Sequence, residues 1–156
     1  MFLSIQEMKK EYINEILMWR YESPYDFYNS EDSEEDIQEF LEGDFYALLN
    51  EQNQIFGFYC TGVSAQVPSG NKEDIYLEDY IDMGIGMNPC FVGKGKGMEF
   101  CERVLKDIYK RFPNVPIRLT VATFNQRAIR LYKKLGFVER DNFLANSAEF
   151  ITMVKE

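Results

Sequence analysis

The apolar positions along the first half of the chain alternate between helical and strand-like spacing. Helical spacing predicts a first helix over residues 5–19, introduced by "SIQE" with the spacing of a capping box. A second, short helix is predicted to begin at "SEED", to end at Gly43 and to carry Ile37, Phe40 and Leu41 on its apolar face. Apolar runs then predict a hairpin from "FYALLNE" and "IFGFYCTGVSA", followed by a longer strand, "IYLEDYIDMGIGM", that Pro89 closes.

The second half of the chain alternates helices with strands. After the stretch "FVGKGKGMEF", a helix of about four turns is predicted, with an apolar face made of Phe100, Cys101, Val104, Leu105, Ile108 and Phe112. The run "IRLTVAT" predicts a buried strand, and Asn125 caps a helix that ends at Gly136. Its apolar face contains Ala128, Leu131, Tyr132 and Leu135, and "FVERDNFLA" and "EFITMVKE" predict two final strands. This order predicts an α+β fold in one domain, residues 1–156, with helices on both faces of a sheet.

The charge of the chain is negative and unevenly distributed. The 156 residues carry a formal net charge of −9, which argues against a general nucleic-acid binder because such proteins are normally basic. No Lys or Arg lies between Arg20 and Lys72, whereas acidic residues recur from Glu22 to Glu51. This stretch is either a solvated acidic face or a surface that attracts a cationic substrate.

The chain contains no histidine, which excludes histidine-based acid–base catalysis, Ser-His-Asp triads and His-ligated metals. Cys60, Cys90 and Cys101 lack Cys-x-x-Cys spacing, so we expect thiols in a reducing cytosol that pack as small apolar residues. Cys90 is also open to a nucleophilic role, although no histidine is present to activate it. The polar start of the chain and its short apolar runs predict neither a secretion signal nor a membrane span, and hence a cytoplasmic protein.

Residues 91–100, "FVGKGKGMEF", combine three glycines with two lysines at the predicted start of a helix. Glycine lets a backbone approach a ligand closely, and the N–H groups of a helix start favour phosphate, so the stretch is either a flexible loop or a phosphate site. It does not match a P-loop, because Asn88 stands at the first glycine position and Gly95 at the hydroxyl position. The dinucleotide pattern G-x-G-x-x-G is also absent. The pattern therefore favours a metal-free pyrophosphate.

Two segments resemble the motifs of the GNAT acyltransferases. "GIGMNPCFVGKGKGMEFCERVL" is similar to motif A, in which a strand that ends near a proline precedes [QR]-x-x-G-x-[GA] and a helix. "VATFNQRAIRLYKKLGF" is similar to motif B, N-x-x-A-x-x-x-Y-x-x-x-G-F, and supplies Asn125, Ala128, Tyr132, Gly136 and Phe137. The resemblance covers residues 80–140, and the upstream order of elements agrees with it. It implies a GNAT-like fold with a mixed, mostly antiparallel sheet, and the use of acetyl-CoA without a metal.

The resemblance implies a coenzyme A site along the predicted strand, loop and helix. The main-chain groups of Ile85 and Met87 would pair with the pantetheine arm. The pyrophosphate would lie on the amides of the loop, which consists of Val92, Gly93, Lys94, Gly95, Lys96 and Gly97. Val92 departs from the family, which has Gln or Arg at this position. Affinity would therefore depend more on Lys94 or Lys96, whose alternative role is solubility.

The resemblance also implies how the reaction would proceed. Asn125 would contact the pantetheine arm, and this role is compatible with capping a helix. Tyr132, which is otherwise a core residue, would protonate the thiolate that leaves coenzyme A. A phenol with an ordinary pKa of about 10 keeps its proton at neutral pH and suits this task. A backbone N–H near Met87 would polarise the thioester carbonyl.

The acceptor side follows from the resemblance in outline only. Asp82 and Asp79 are the candidate bases for the amine and are otherwise surface carboxylates. Thr120 stands where family members that acetylate protein N-termini often carry a glutamate. The family fold sets "WRYESPYDFYN" beside the acceptor, and this acidic, aromatic segment would suit a polyamine, an aminoglycoside or a basic peptide. The expected function is N-acetylation of a primary amine by a monomer or homodimer. The alternatives are a non-catalytic acyl-CoA sensor, transfer to a hydroxyl group, or a longer acyl chain.

Overall fold

The computed structural model of the protein describes residues 1–30, 34–68, 70, 75–77, 79–145 and 148–156. The described residues form seven strands and four α-helices. The strands are β1 (Ser4–Glu7), β2 (Asp44–Leu49), β3 (Ile55–Thr61), β4 (Ile81–Met87), β5 (Ile117–Ala122), β6 (Val138–Ala145) and β7 (Ala148–Lys155). The helices are α1 (Lys10–Leu17), α2 (Glu34–Glu42), α3 (Gly97–Arg111) and α4 (Gln126–Lys134).

The strands form a mixed sheet in the order β1-β2-β3-β4-β5-β7-β6. Strands β4 and β5 are parallel, whereas β1 with β2, β5 with β7 and β6 with β7 are antiparallel. The parallel pair is the expected result of a crossover connection, since α3 lies between β4 and β5 in the chain. The α+β architecture predicted from the order of elements is confirmed.

The chain divides into two compact units. Unit 1 comprises Met1–Cys60 and Ile85–Phe100. Its apolar centre contains Trp19, which lies two residues after α1, and Phe58 from β3, and the two rings stack with their centroids 6.1 Å apart. Ile16, Leu49 and Ile55 are buried in the same cluster, and Met8, Tyr12 and Phe40 pack against it. The hairpin of β2 and β3 closes where the Asn50 N–H donates to the Gln54 carbonyl at 2.9 Å.

Unit 2 comprises Thr61–Gly84 and Cys101–Glu156. Helix α3 buries the side chains of Cys101, Val104, Leu105 and Ile108, as its apolar spacing predicts. Strand β5 pairs with β4 on one edge and with β7 on the other. Five of its six residues are buried, and the buried set includes the charged residue Arg118. Gly136 follows the C-cap residue of α4, and its φ of +100° is the left-handed conformation commonly found just after a helix C-terminus.

The N-terminal segment differs from the predicted helix over residues 5–19. Residues Ser4–Glu7 form β1, which pairs with β2 from Ser4↔Leu49 to Glu7↔Tyr46. Helix α1 begins only at Lys10, after an N-cap residue whose side chain makes no capping hydrogen bond. Strand pairing satisfies the main-chain groups of residues 4–7, which a capping box would satisfy only in part, and so the sheet prevails over the local signal.

Three further boundaries differ from the sequence-based expectations. The predicted strand over residues 75–87 is confined to β4, because Ile75 and Tyr76 instead turn into a cluster with Phe143 and Phe150. Strand β3 ends at Thr61, and a 3₁₀ turn covers Gly62–Ala65. On α4, the prediction omitted Ile129, which is buried together with Tyr132.

The second predicted helix is found as α2, with its end as expected, since the Gly43 N–H donates to the Glu39 carbonyl at 2.8 Å. Phe40 packs against the cluster of unit 1. Leu41, by contrast, is 48% exposed and does not lie on a buried face. The predicted start of this helix at Ser33 lies outside the described residues.

Candidate active site

The glycine loop, residues 92–97, belongs to unit 1 and leads from a 3₁₀ turn at Pro89–Phe91 into α3. Gly93 and Gly95 have φ angles of +77° and +75°, a left-handed conformation that is costly for residues with a Cβ. An added Cβ on Gly95 would meet no atom of the described residues within 4 Å. The backbone conformation therefore favours glycine here, and the space beside Gly95 stays open.

The start of α3 is suited to an anion. The first N–H groups of an α-helix have no intrahelical carbonyl partner, and the helix dipole adds partial positive charge at this end. The Phe100 N–H makes an early helical bond, to the Lys96 carbonyl at 3.1 Å. Lys94 and Lys96 are exposed and contribute two cations. Because main-chain donors, open space and positive charge coincide, the loop fits a phosphate or pyrophosphate group.

Strand β4 leads to this loop and carries Ile85 and Met87 in its last part. The parallel register joins residues 81–83 to residues 117–119, and Ile85 and Met87 lie beyond these paired positions on the strand. The Met87 carbonyl accepts a hydrogen bond of 2.7 Å from the Tyr21 phenol. A carbonyl oxygen has two lone pairs, so one acceptor position of Met87 is used within the protein.

Asn88 anchors the turn that follows β4. Its N–H donates to the Phe56 carbonyl at 2.9 Å, and its side-chain Nδ2 donates to the Ile55 carbonyl at 2.9 Å. Its Oδ1 accepts the N–H of Cys90 at 3.0 Å. Asn88, which breaks the P-loop pattern in the sequence, therefore connects the end of β4 to β3 within unit 1.

Helix α4 in unit 2 carries Asn125 at its start and Tyr132 at the end of its second turn. Asn125 is the N-cap, since its Oδ1 accepts the Ala128 N–H at 3.2 Å. The Tyr132 side chain is buried, and its ring meets Phe137 edge to face with centroids 6.0 Å apart. The ring is thereby fixed on the helix, which would give its phenol a defined direction.

Asp82, one of the two candidate bases, lies in a buried ion pair of unit 2. Its Oδ1 accepts from the Arg118 Nε at 2.6 Å and its Oδ2 accepts from Nη2 at 2.9 Å. Gln66 Nε2 donates to the same Oδ2 at 2.8 Å. Arg118 is also enclosed by two aromatic rings, of Tyr76 at 4.9 Å and Tyr80 at 5.3 Å. Asp82 is therefore not the surface carboxylate that its alternative reading expected.

Asp79 and Thr120 are placed differently from Asp82. Asp79 is exposed and precedes β4 rather than lying on it. Thr120 lies on β5, where its Oγ1 is 2.8 Å from the Tyr76 phenol oxygen. The same phenol oxygen accepts the Val67 N–H at 3.0 Å. Val67, Tyr76 and Thr120 therefore form a chain of hydrogen bonds in unit 2, and either hydroxyl can be the donor between Tyr76 and Thr120.

The three cysteines are free thiols. Burial raises the pKa of Cys101 to about 12, with a smaller contribution from the charge of Glu102, so this thiol stays protonated and unreactive. Cys60 is buried and Cys90 is exposed. Among the described residues, no group of three or more Cys, Asp or Glu side chains is arranged to hold a metal ion. None of the helices described is long and apolar enough to cross a membrane.

The model of a protein family described as the acetyltransferase (GNAT) domain matches residues 5–138. The chain belongs to the GNAT acetyltransferases. The match includes both motif segments and extends upstream of them to β1, beyond the part of the chain in which the motifs are recognisable. A search of the curated proteins finds no significant match to the sequence.

Solved GNAT structures share the fold of this chain. A chimera of the spermidine N-acetyltransferase SpeG from Vibrio cholerae and hSSAT is 20% identical, with a TM-score of 0.67 over 97% of this chain and 94% of the other. Mutant forms of the spermidine/spermine N-acetyltransferase SpeG from Vibrio cholerae are 18% identical, with a TM-score of 0.69 over 99% and 94%. A proposed phosphinothricin N-acetyltransferase is 16% identical, with a TM-score of 0.73 over 99% and 98%.

Two residues near the GNAT motifs were missed by the sequence reasoning. Arg118 occupies both oxygens of Asp82, and the only sequence signal for it is a cation inside an apolar strand, "IRLTVA". Tyr21 contacts the end of β4, and it belongs to the segment 19–29, which we call the aromatic loop. Both contacts join residues that are distant in the chain, so the spacing of residues within a local segment does not predict them.

Proposed function

We propose that this GNAT protein is an N-acetyltransferase that moves an acetyl group from acetyl-CoA to a primary amine. The observation that carries the proposal is the glycine loop: an exposed turn with two left-handed glycines that opens a helix of 15 residues. In a GNAT chain, such a turn is the expected binding site of the coenzyme A pyrophosphate. Val92, Gly93, Lys94, Gly95, Lys96 and Gly97 would bind it through main-chain N–H groups and two cations.

The pantetheine arm would be bound by main-chain groups of Ile85 and Met87 and by the side chain of Asn125. Asn125 caps α4 through its Oδ1, and an amide side chain also carries donors at its nitrogen. Both roles therefore fit one side chain, because an amide has a separate acceptor and donor. A main-chain N–H near Met87 would polarise the thioester carbonyl.

The chemistry requires one new bond and one broken bond. The neutral amine nitrogen attacks the thioester carbonyl carbon, the C–N bond forms, and the tetrahedral intermediate collapses with cleavage of the C–S bond. The departing thiolate takes a proton from the Tyr132 phenol, which is then reprotonated from solvent. The products are the acetylated amine and free coenzyme A.

The amine must also lose a proton, to a carboxylate or to water. Asp79 is exposed and open to this role. Asp82 is bound by Arg118 and Gln66 at both oxygens, and it would act as a base only if this ion pair opened. We therefore favour Asp79 or a water molecule as the base.

For the acceptor we propose a cationic amine. The aromatic loop and α2 carry acidic residues without a Lys or Arg between residues 20 and 72. Partial burial raises the pKa of Glu39 on α2, and the nearby charge of Asp36 makes a smaller contribution in the same direction. Amine substrates also appear in the names of the structural relatives, which include spermidine N-acetyltransferases. We further propose a cytoplasmic location, in keeping with three free thiols.

The test is release of coenzyme A thiol from acetyl-CoA across a panel of polyamines, aminoglycosides, basic peptides and neutral amines. We expect turnover with at least one cationic primary amine and a product heavier by one acetyl group in mass spectrometry. Coenzyme A binding is measured separately as a thermal shift, since a ligand at 100 times its Kd adds about 2.7 kcal/mol of stability. Binding without turnover on any amine would refute the enzyme and favour an acyl-CoA sensor.

A further inference from the structure

The phenol of Tyr21 joins two segments of unit 1 that are far apart in the chain. Its O–H donates to the Met87 carbonyl at 2.7 Å, across 66 positions of sequence. The N–H of the same residue donates to Asn29 Oδ1 at 2.7 Å, which closes the aromatic loop. Tyr21 is thus held at its side chain by β4 and at its main chain by the far end of its own loop.

The direction of the Tyr21 hydrogen bond is fixed by its surroundings. Burial raises the pKa of this phenol to about 12, so it keeps its proton at every pH at which an acetyltransferase would be assayed. A main-chain carbonyl can only accept. The bond therefore has a single polarity and does not switch between donor and acceptor forms.

This bond determines the orientation of the last peptide group of β4. The group between Met87 and Asn88 is held at its oxygen by Tyr21 and at its nitrogen by the Phe56 carbonyl, at 2.9 Å. Two hydrogen bonds at opposite ends leave a peptide plane little freedom to rotate. In the proposed reaction a main-chain N–H near Met87 polarises the thioester carbonyl, so the orientation of the peptide groups at this end of β4 matters for catalysis.

The start of the aromatic loop is fixed as well. The Arg20 guanidinium donates through Nη1 to the carbonyls of Leu17 and Trp19, at 2.9 Å and 2.7 Å. Trp19 in turn stacks on Phe58 of β3. Tyr21 follows directly in the chain. The first residues of the loop therefore have little freedom to move into a new contact if the one made by Tyr21 is lost.

We propose that Tyr21 is a positioning residue for acetyl transfer, which holds the aromatic loop against the end of β4 so that the acceptor amine meets the thioester in a fixed geometry. The inference rests on the proposed function and adds a residue that neither GNAT motif contains. A positioning role predicts a loss in the use of the acceptor with little change in the binding of coenzyme A. The reason is that losing the Tyr21 hydroxyl leaves the glycine loop untouched and removes no main-chain donor or acceptor of Ile85 or Met87.

The test is Tyr21→Phe, which keeps the ring and removes the phenol oxygen. We expect kcat/KM for the acceptor to fall about five- to tenfold, the size of one uncharged hydrogen bond. We expect the Kd of coenzyme A, measured by calorimetry, to change by less than about twofold, well below the loss of one such bond. Tyr109→Phe is the matched control, since it removes a phenol from a partly exposed site on α3 and should leave both constants unchanged.

Circular dichroism and thermal unfolding establish that the Tyr21→Phe variant is folded before its kinetics are compared. If the folded variant has the acceptor kcat/KM of the unchanged protein, Tyr21 is structural and the inference is wrong. An equal loss in coenzyme A affinity would also contradict it, since the effect would then not be specific to the acceptor. If the unchanged protein turns over no amine, the proposed function itself fails, and that result is distinct from both.

Discussion

Tyr132→Phe removes the hydroxyl of the proposed general acid and keeps the aromatic ring. Phenylalanine keeps the ring and its edge-to-face contact with Phe137, so Tyr132→Phe should fold normally and bind coenzyme A as before. As the proposed general acid, its loss should lower kcat about 100-fold or more. Steady-state kinetics with a competent amine, beside a calorimetric Kd for coenzyme A, measure both quantities. An unchanged kcat would remove Tyr132 from the mechanism and leave it as a core residue.

Asp82 and Arg118 should matter to stability more than to chemistry. Asp82→Asn leaves the Arg118 charge buried without its counter-ion, which should lower the free energy of unfolding by about 3–5 kcal/mol in urea titrations. Asp79→Asn, at an exposed site, should change it by less than about 0.5 kcal/mol. Replacing the ion pair by apolar residues, in Asp82→Leu with Arg118→Met, should recover much of the loss.

The same variants separate the two candidate bases. If Asp82 were the base, the folded Asp82→Asn protein, assayed below its unfolding transition, would lose turnover and the acid limb of its pH–rate profile. If Asp79 were the base, those losses would appear in Asp79→Asn, whose stability is preserved. If both variants keep their turnover and the acid limb of the pH–rate profile, water is the proton acceptor.

Single residues were predictable where their role depends on near neighbours in the chain. Asn125 as a helix cap and Gly136 as a helix end follow from local spacing, and the structure confirms both. The roles of Asp82 and Tyr21 were not predictable, because their partners lie 36 and 66 positions away. A carboxylate in a strand looks the same in sequence whether it faces solvent or an arginine.

At the scale of elements, the turn that opens α3 combines a backbone constraint with a ligand constraint, and two variants of Gly95 separate them. Alanine at a φ of +75° is strained by about 1–2 kcal/mol, whereas asparagine tolerates this conformation better. Gly95→Ala should therefore lower the free energy of unfolding more than Gly95→Asn. Both variants place a Cβ in the open space beside the loop, so both should weaken coenzyme A binding.

Calorimetric titration with coenzyme A and urea unfolding of the same preparations provide the two measurements. Coenzyme A affinity that followed stability alone, with Gly95→Asn binding as the unchanged protein does, would contradict a close approach of ligand to the loop backbone. Gly62 also has a positive φ, +88°, with no atom of the described residues within 4 Å of an added Cβ. Gly62→Ala is therefore a control for backbone strain outside the loop.

Elements were predictable from sequence where one periodicity dominates. The spacing of the apolar residues of α3 and the β-branched run of β5 correspond to the elements observed. The helix start predicted at residues 4–7 was wrong because two signals compete there. One is a local capping box, and the other is pairing with β2, which lies about forty residues away. Local reasoning sees only the first signal. The shortened β4 has the same origin, since Ile75 and Tyr76 are drawn out of line by packing against Phe143 and Phe150.

At the scale of the whole molecule, the family and fold were predictable because two motifs and an order of elements agree, whereas the acceptor depends on the distribution of charge. The net charge of −9 would favour any cation to some extent. A specific acceptor surface must attract the cation more strongly than the net charge does, because its carboxylates lie close to the bound substrate. The effect of net charge and the effect of a local acceptor surface can be separated by removing the same number of negative charges from different parts of the protein.

We expect kcat/KM for a polyamine to fall several-fold as ionic strength rises from about 0.05 to 0.5 M, because screening shortens the Debye length to a few ångströms. A neutral amine should show little change. Neutralising Glu22 and Asp26, which are exposed on the aromatic loop, should reduce both the polyamine rate and its salt dependence. Neutralising Glu11 and Glu15, exposed on α1, alters the net charge equally and should leave the rate nearly unchanged. Equal effects of the two double variants would mean that the aromatic loop attracts the substrate only through the charge of the whole protein, and the proposal of an acidic acceptor surface would then be wrong.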